Sequence, residues 1–350
     1  VFPIFNILSI NQKNLMNSMN KLIIKVTAIT ALIFQYSLNA SEKFNETYVI
    51  GFGSCITEKR EQPIWSAIEK ENIDEFFFMG DNVYGDSEDG LLEEMRKSYE
   101  KQKNMFPDWI FNKKLNAIWD DHDYGKNDGG FEYPLKKEAQ ELFLEFWNVA
   151  QDDPRHLREG IYFNEEKEIL GNNVNFIALD TRYHRSFLDQ ADKPYSPTQD
   201  KTKTILGENQ WKWLEETLKK ESDLIVIISS IQILPTNHGF EKWHNFPHER
   251  LKLLNLLKSK RKPVVLLSGD RHKAGLYKDG EIIEMTSSSM NKPISKPIAW
   301  LWDFLYKETD ELLQGEMYSQ ENYGILKFEK DKISVSLKDI QGREVLSIDI

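Results

Sequence analysis

Cysteine is all but absent: Cys55 is the one copy in 350 residues, so no internal disulfide framework can staple the chain. Long apolar runs are missing as well. Residues 26–34 (VTAITALIF) are too short to cross a bilayer, which takes about 20 residues. Positive charge is in deficit, with 45 Lys and Arg against 56 Asp and Glu and a formal net charge of -11. A surface of that sign repels polyphosphate backbones and excludes generic nucleic-acid binding. Bound metal ions can still reverse the field locally and admit an anionic substrate. No G-x-G-x-x-G follows the first strand-like segment, which removes the dinucleotide-binding reading.

What is present suffices for a sizeable core: 40% hydrophobic and 12% aromatic residues. The first 40 residues contain three Lys and no acid, with a basic start at 20–25, the apolar stretch 26–34 and the small-residue run Ser37-Leu38-Asn39-Ala40. That is the plan of a secretory signal peptide ending at Ala40. Met16 and Met19 are better starts than Val1, so residues 1–18 read as an upstream extension. The expectation is a secreted protein, periplasmic or extracellular, with its folded domain over 46–350 and no membrane span after cleavage. Nothing in the sequence fixes an oligomeric state.

The domain is organised around FFFMGDNVYGD at 76–86, a short apolar run that ends in Gly-Asp as a buried strand delivering a carboxylate to a loop would. In open α/β sheets ligands bind beyond the carboxyl ends of the strands. Asp81 and Tyr84 are oxygen donors for a hard cation, and Asp86 adds nearby negative charge. Three other strand-like runs end in comparable groups: Ser54-Cys55, Asp120-Asp121-His122-Asp123 and Gly269-Asp270-Arg271-His272. Thiolate, carboxylate, phenolate and imidazole in one crevice suit a transition metal, and the surplus carboxylates suit a harder second cation. Two ions sharing a carboxylate clamp a phosphoryl group during in-line displacement.

Strands at 48–53, 76–79, 115–119, 174–179, 224–229 and 264–267 alternate with helices at 63–71, 91–102, 136–149, 208–219 and 247–258. Asp279-Gly280 makes a hairpin turn, and Ile333, Val335 and Leu337 alternate with polar residues like a half-exposed antiparallel strand. Strands alternating with helices and then an antiparallel finish give one layered α/β domain. Residues 186–204 read as a polar loop over the surface. Arg182 and Arg185 follow a strand end and are candidates to hold a substrate phosphate, since guanidinium matches its oxygens bidentately. Trp211, Trp213 and the stripe at 143–147 read as core. His184, His244 and His248 read as surface or loop residues, and Trp300 and Trp302 as packing rather than a flap.

The fragments GSC, MGDNVYGD, WDDHDYGKND, LDTRYHR, GENQWKWLEETL, HERLKLL, LLSGDRH and EMTSSS fall in an order that resembles the PhoD-like alkaline phosphatases of the calcineurin-like metallophosphoesterase superfamily. The resemblance covers residues 48–289. It implies a four-layer αββα sandwich and hydrolysis of phosphate esters by a metal-held hydroxide. Cys55, Tyr84 and His272 would bind Fe3+, with Asp81 bridging to a second divalent cation, Ca2+, held by Asp121 and Asp270. His122 would be the general acid, with Asp123 orienting its ring. Two readings stand beside this one: a phosphodiesterase of the phospholipase D type, and a metal-dependent binding protein without turnover. The chain departs from the superfamily in lacking the usual Asp-x-His first motif. It also shows no clear His ligand after the strand at 224–229, where Gln232 and His238 are not taken as ligands. The separate N-terminal β-domain of larger family members is expected to be missing.

Overall fold

The computed structural model describes residues 46–87, 90–294 and 309–350. The signal-peptide reading with Ala40, and the reading of Trp300 and Trp302, lie outside the described residues. Helices and strands alternate as the sequence pattern predicts, and two six-stranded sheets result.

The first sheet contains β1 (Thr47–Gly53), β2 (Glu75–Met79), β3 (Lys114–Ile118), β10 (Asn322–Glu329), β11 (Lys332–Asp339) and β12 (Glu344–Asp349), in the order β12-β11-β10-β1-β2-β3. Pairing is parallel across β1, β2 and β3 and antiparallel from β1 out to β12. The second sheet contains β4 (Phe163–Ile169), β5 (Asn172–Ala178), β6 (Leu224–Ser229), β7 (Val264–Ser268), β8 (Gly275–Asp279) and β9 (Ile282–Thr286), in the order β4-β5-β6-β7-β9-β8. Four parallel strands form its centre, and β4 and β8 pair antiparallel at its edges.

Side-chain alternation makes the layers. In β2, Phe77 stacks on Phe176 of β5, 5.5 Å between ring centres, so this face meets the other sheet. Phe76 and Phe78 point the opposite way, onto Trp65 and, for Phe78, also Phe106 and Trp147. In β6, Val226 and Ile228 join the inter-sheet core, while Ile225 and Ile227 join Trp211, Leu214, Leu253 and Leu257 of the helices Gly207–Thr217 and Pro247–Ser259. Both faces of the central strands are apolar, which explains their unbroken hydrophobic runs. The architecture is helix, sheet, sheet, helix, as expected. The sequence reading passed over β4, β10 and β12, whose charged and polar residues disguise the pattern.

At the end of the sandwich away from the strand carboxyl ends, Glu75 is fully buried and ion-paired with Lys167 of β4, which ties the two sheets together. Tyr48 Oη also donates to this carboxylate at 3.2 Å, and Asn116 donates from β3. Removing one partner of a buried pair costs about 3–5 kcal/mol, because the other charge is left uncompensated. Lys167→Met is therefore expected to lower the thermal midpoint sharply, and Glu75→Gln in the same chain to restore much of it. A double-mutant cycle of thermal melts checks this; simple additivity would mean that the pair is not coupled.

Candidate metal centre

Each group of candidate ligands sits where a strand stops. The chain leaves β1 at Ser54-Cys55, β2 at Gly80-Asp81, β3 at Trp119-Asp120-Asp121 and β7 at Gly269-Asp270-Arg271-His272. Cys55, Asp81, Asp270 and His272 all adopt left-handed backbone, with φ of 58°, 53°, 63° and 50°. Such strain costs about 1–3 kcal/mol per residue and persists only where surrounding structure dictates it. Gly80 is fixed by space: a Cβ there would lie 2.6 Å from Asp120 Cβ and 2.9 Å from its backbone N. That close approach brings Asp81 against the Asp120–Asp123 segment.

Three sets of donor atoms result, each within 4.8 Å of one another: Cys55, Asp81 and His272; Asp81, Asp121 and His122; and Asp81, Asp120, Asp121 and Asp270. Asp81 belongs to all three. Its Oδ2 accepts Tyr84 Oη at 2.7 Å and Cys55 Sγ at 3.3 Å, whereas its Oδ1 is buried without a partner. Asp120 Oδ2 is orphaned in the same way. Burial, and then the charge of neighbouring groups, push the carboxyls of Asp81 and Asp270 well above the usual range. Asp120 is likewise pushed up by burial, against the pull of Arg182. Unpaired buried carboxylate oxygens facing a crowd of acids are what a cation would satisfy, so the donor set fits bound metal.

Individual residues are set by their partners. Burial drives His272 down to about 4, so its ring is neutral. Its Nδ1 faces the carbonyl of Lys292 at 2.7 Å, leaving Nε2 for a ligand. Burial works against the charge of Asp121, but His122, Arg182 and the Asp128 N–H outweigh it and hold the carboxyl below its ordinary range. The Tyr84 phenol is raised by burial and by Asp81, and its backbone N–H donates to the buried carboxylate of Glu58 at 3.0 Å.

Two expectations need correction. Asp123 does not orient His122. Its carboxylate accepts the backbone N–H groups of Asp120, Asp81 and Asn82 at 2.6, 3.2 and 3.3 Å and the Asn82 amide at 2.5 Å, tying the β2 and β3 turns together. The partner of His122 is Asp86, with Nδ1 2.7 Å from Asp86 Oδ1. Burial disfavours the imidazolium, but Asp121, Asp81 and Asp86 overcome it and raise His122 to about 10.

Arg182 and Arg185 do not face solvent. They are 0% and 1% exposed. Arg182 donates to Asp120 at 2.6 Å through Nε and to Glu241 at 2.6 Å through Nη1. Arg185 Nε lies 2.9 Å from Glu241, and its Nη groups donate to the carbonyls of Ser186 and Asp128. The turn at Asp180, whose Oδ1 accepts Arg182 N–H and Tyr183 N–H, points the chain inward. Arg182 holds Asp120 of the acidic cluster from behind, and Arg185 shares Glu241 with Arg182. Asp120, Asp86 and Glu241 were passed over as site residues, although Asp120 and Asp86 lie inside the segments that drew attention. His238 enters none of the donor sets found among the described residues.

Alkaline phosphatase D of Bacillus subtilis (strain 168) is 25% identical over 292 residues, covering 68% of this chain and 48% of that protein. The chain thus spans about half the length of this curated relative. Among solved structures, that of PhoD superposes with a TM-score of 0.68 at 18% identity, over 85% of this chain and 68% of the other. GAP50, the anchor in the inner membrane complex of Plasmodium, gives 0.58 at 14% identity over 87% and 88%. At these identities the structures speak for the fold alone. The sequence model of the PhoD-like phosphatase family matches residues 108–290, more than half of the chain. The chain belongs to the PhoD-like phosphatase family.

Proposed function

We propose that this chain hydrolyses phosphate esters at two metal positions that share Asp81. The observation that carries the reading is the overlap of three donor sets on that one carboxylate. Cys55, Tyr84, His272 and Asp81 would hold one ion, and a set of anionic phenolate, carboxylate and thiolate donors with an imidazole suits Fe3+. Asp81, Asp121 and Asp270, with Asp120 behind them, would hold the second; all-oxygen donors suit Ca2+. When bound, the ions neutralise the phosphoryl oxygens and supply the nucleophile's activation.

The remaining chemistry belongs to the chain. His122, 18% exposed at its side chain, stands at the mouth and protonates the departing alkoxide. Asp86 fixes its ring and tautomer as a positioning residue. Arg182 anchors Asp120, so that the carboxylate cluster cannot splay under its own repulsion. To bind iron, Tyr84 would have to give up the proton it donates to Asp81, so loading would release protons. We further propose that the protein is exported, as the basic and apolar start suggests.

Metal analysis of the purified chain, run beside a panel of phosphomonoesters and phosphodiesters, tests the reading. Iron together with a hard divalent cation is expected, with a visible phenolate-to-iron band that Tyr84→Phe removes. Full metal occupancy with no ester cleaved would favour a binding protein. A colourless, iron-free and fully active enzyme would refute the iron assignment.

A further inference from the structure

With Arg182 and Arg185 buried and committed, recognition of an anionic substrate needs a different cation. Lys193, near Asp121, is ion-paired with Asp128 at 3.3 Å. Lys292 is differently placed. It follows the Ser287-Ser288-Ser289 turn beyond β9 and is partly buried. Its ammonium lies 3.1 Å from the centre of the Tyr84 ring, and among the described residues no carboxylate comes within ion-pair distance of it. The ring of His122 is 4.3 Å from the same Tyr84 ring. Burial disfavours the charged form of Lys292 and lowers its pKa from the ordinary value, against the opposing pull of Asp81, Cys55, Asp121 and Asp86. A half-buried ammonium with no counter-ion, in a chain with 56 acidic residues, is a donor held for something else, because buried charges are otherwise paired.

The two parts of Lys292 are separable. Its carbonyl receives His272 Nδ1 and so orients a candidate ligand, and no side-chain substitution removes a carbonyl. We propose that Lys292 Nζ grips a non-bridging oxygen of the substrate's phosphoryl group. The proposal rests on the phosphate-ester reading above. It makes Lys292 a substrate-binding residue whose main chain sets the metal position and whose side chain holds the anion.

The experiment uses metal-loaded full chain carrying Lys292→Gln or Lys292→Arg. Hydrolysis of p-nitrophenyl phosphate gives kcat and KM, and inorganic phosphate serves as competitive inhibitor and as titrant in calorimetry. A hydrogen bond to a charged group is worth about 1.5–3 kcal/mol, so Lys292→Gln should weaken phosphate binding and raise KM roughly 10–100-fold. Metal content should stay unchanged, because the carbonyl remains, and Lys292→Arg should recover part of the loss. Phosphate affinity in Lys292→Gln equal to wild type, beside an active wild type, overturns this inference and leaves the phosphate-ester reading standing. Increased metal content with unchanged phosphate binding overturns it too, since the ammonium would then be standing in for a metal ion. A wild-type enzyme that neither cleaves the ester nor binds phosphate sinks both.

Discussion

His122→Ala should lower kcat by about 10²–10⁴, the usual contribution of a general acid, while metal content stays intact. The loss should shrink for esters with good leaving groups such as p-nitrophenolate, because an acidic alcohol departs without help. Asp86→Asn should act through His122 and cost less. Burial opposes the imidazolium, and Asp121, Asp81 and Asp86 raise it, so removing the Asp86 charge lowers its pKa. An acid is active only while protonated. The alkaline limb of kcat should therefore move to lower pH in Asp86→Asn. A pH–rate series on both variants checks this. Loss of metal together with activity in His122→Ala would make the ring a ligand, and an unmoved limb in Asp86→Asn would detach the pair from catalysis.

Stripping the metals should destabilise the fold, and more so at alkaline pH. A ligand at 100 times its dissociation constant adds about 2.7 kcal/mol, so chelation should lower the thermal midpoint by on the order of 5–10 °C. The sign of the pH dependence follows from the stripped chain. Asp81, Asp120 and Asp270 have folded pKa values raised, first of all by burial, well above their ordinary values. Their contribution is fully present below the unfolded carboxyl pKa of about 3.9 and is lost as pH rises through the raised folded values. Asp121 is shifted the other way, but it is one group against three. With cations in place the carboxylates are compensated and this dependence is suppressed. Melting curves with and without chelator, at pH 5 and pH 8, should diverge at the higher pH. Equal shifts at both would show that the cluster does not carry the metals.

Much of this was legible in the sequence because both faces of the central strands are apolar and each strand ends on a short run of chemically capable residues. Cys55, Asp81, Asp121, Asp270 and His272 are legible for that reason. What failed was the assignment of partners. His122 and Asp123 are adjacent in sequence, yet consecutive residues of a helical turn do not face each other, so Asp123 caps the turn below while the partner comes from the neighbouring strand end as Asp86. The arginines failed for a different reason. LDTRYHR specifies a turn but not its direction, and the burial of Arg182 and Arg185 depends on Glu241, which arrives from a loop more than fifty residues later. β4 was missed because its charged residues, among them Glu165 and Lys167, are paired across to Lys114 and Glu75 of the other sheet, so its alternation is not one of apolar against polar.

The left-handed backbone at Cys55, Asp81, Asp270 and His272 has a consequence for descent. Glycine adopts that conformation at no steric cost, so at each of these positions a substitution exists that relaxes the chain while deleting a donor. Relief of that strain competes with the stability that bound metal adds, so selection would favour glycine at these joints only once metal binding had ceased to matter. A descendant that no longer turned over substrate would lose its metal centre first and keep its sandwich longest.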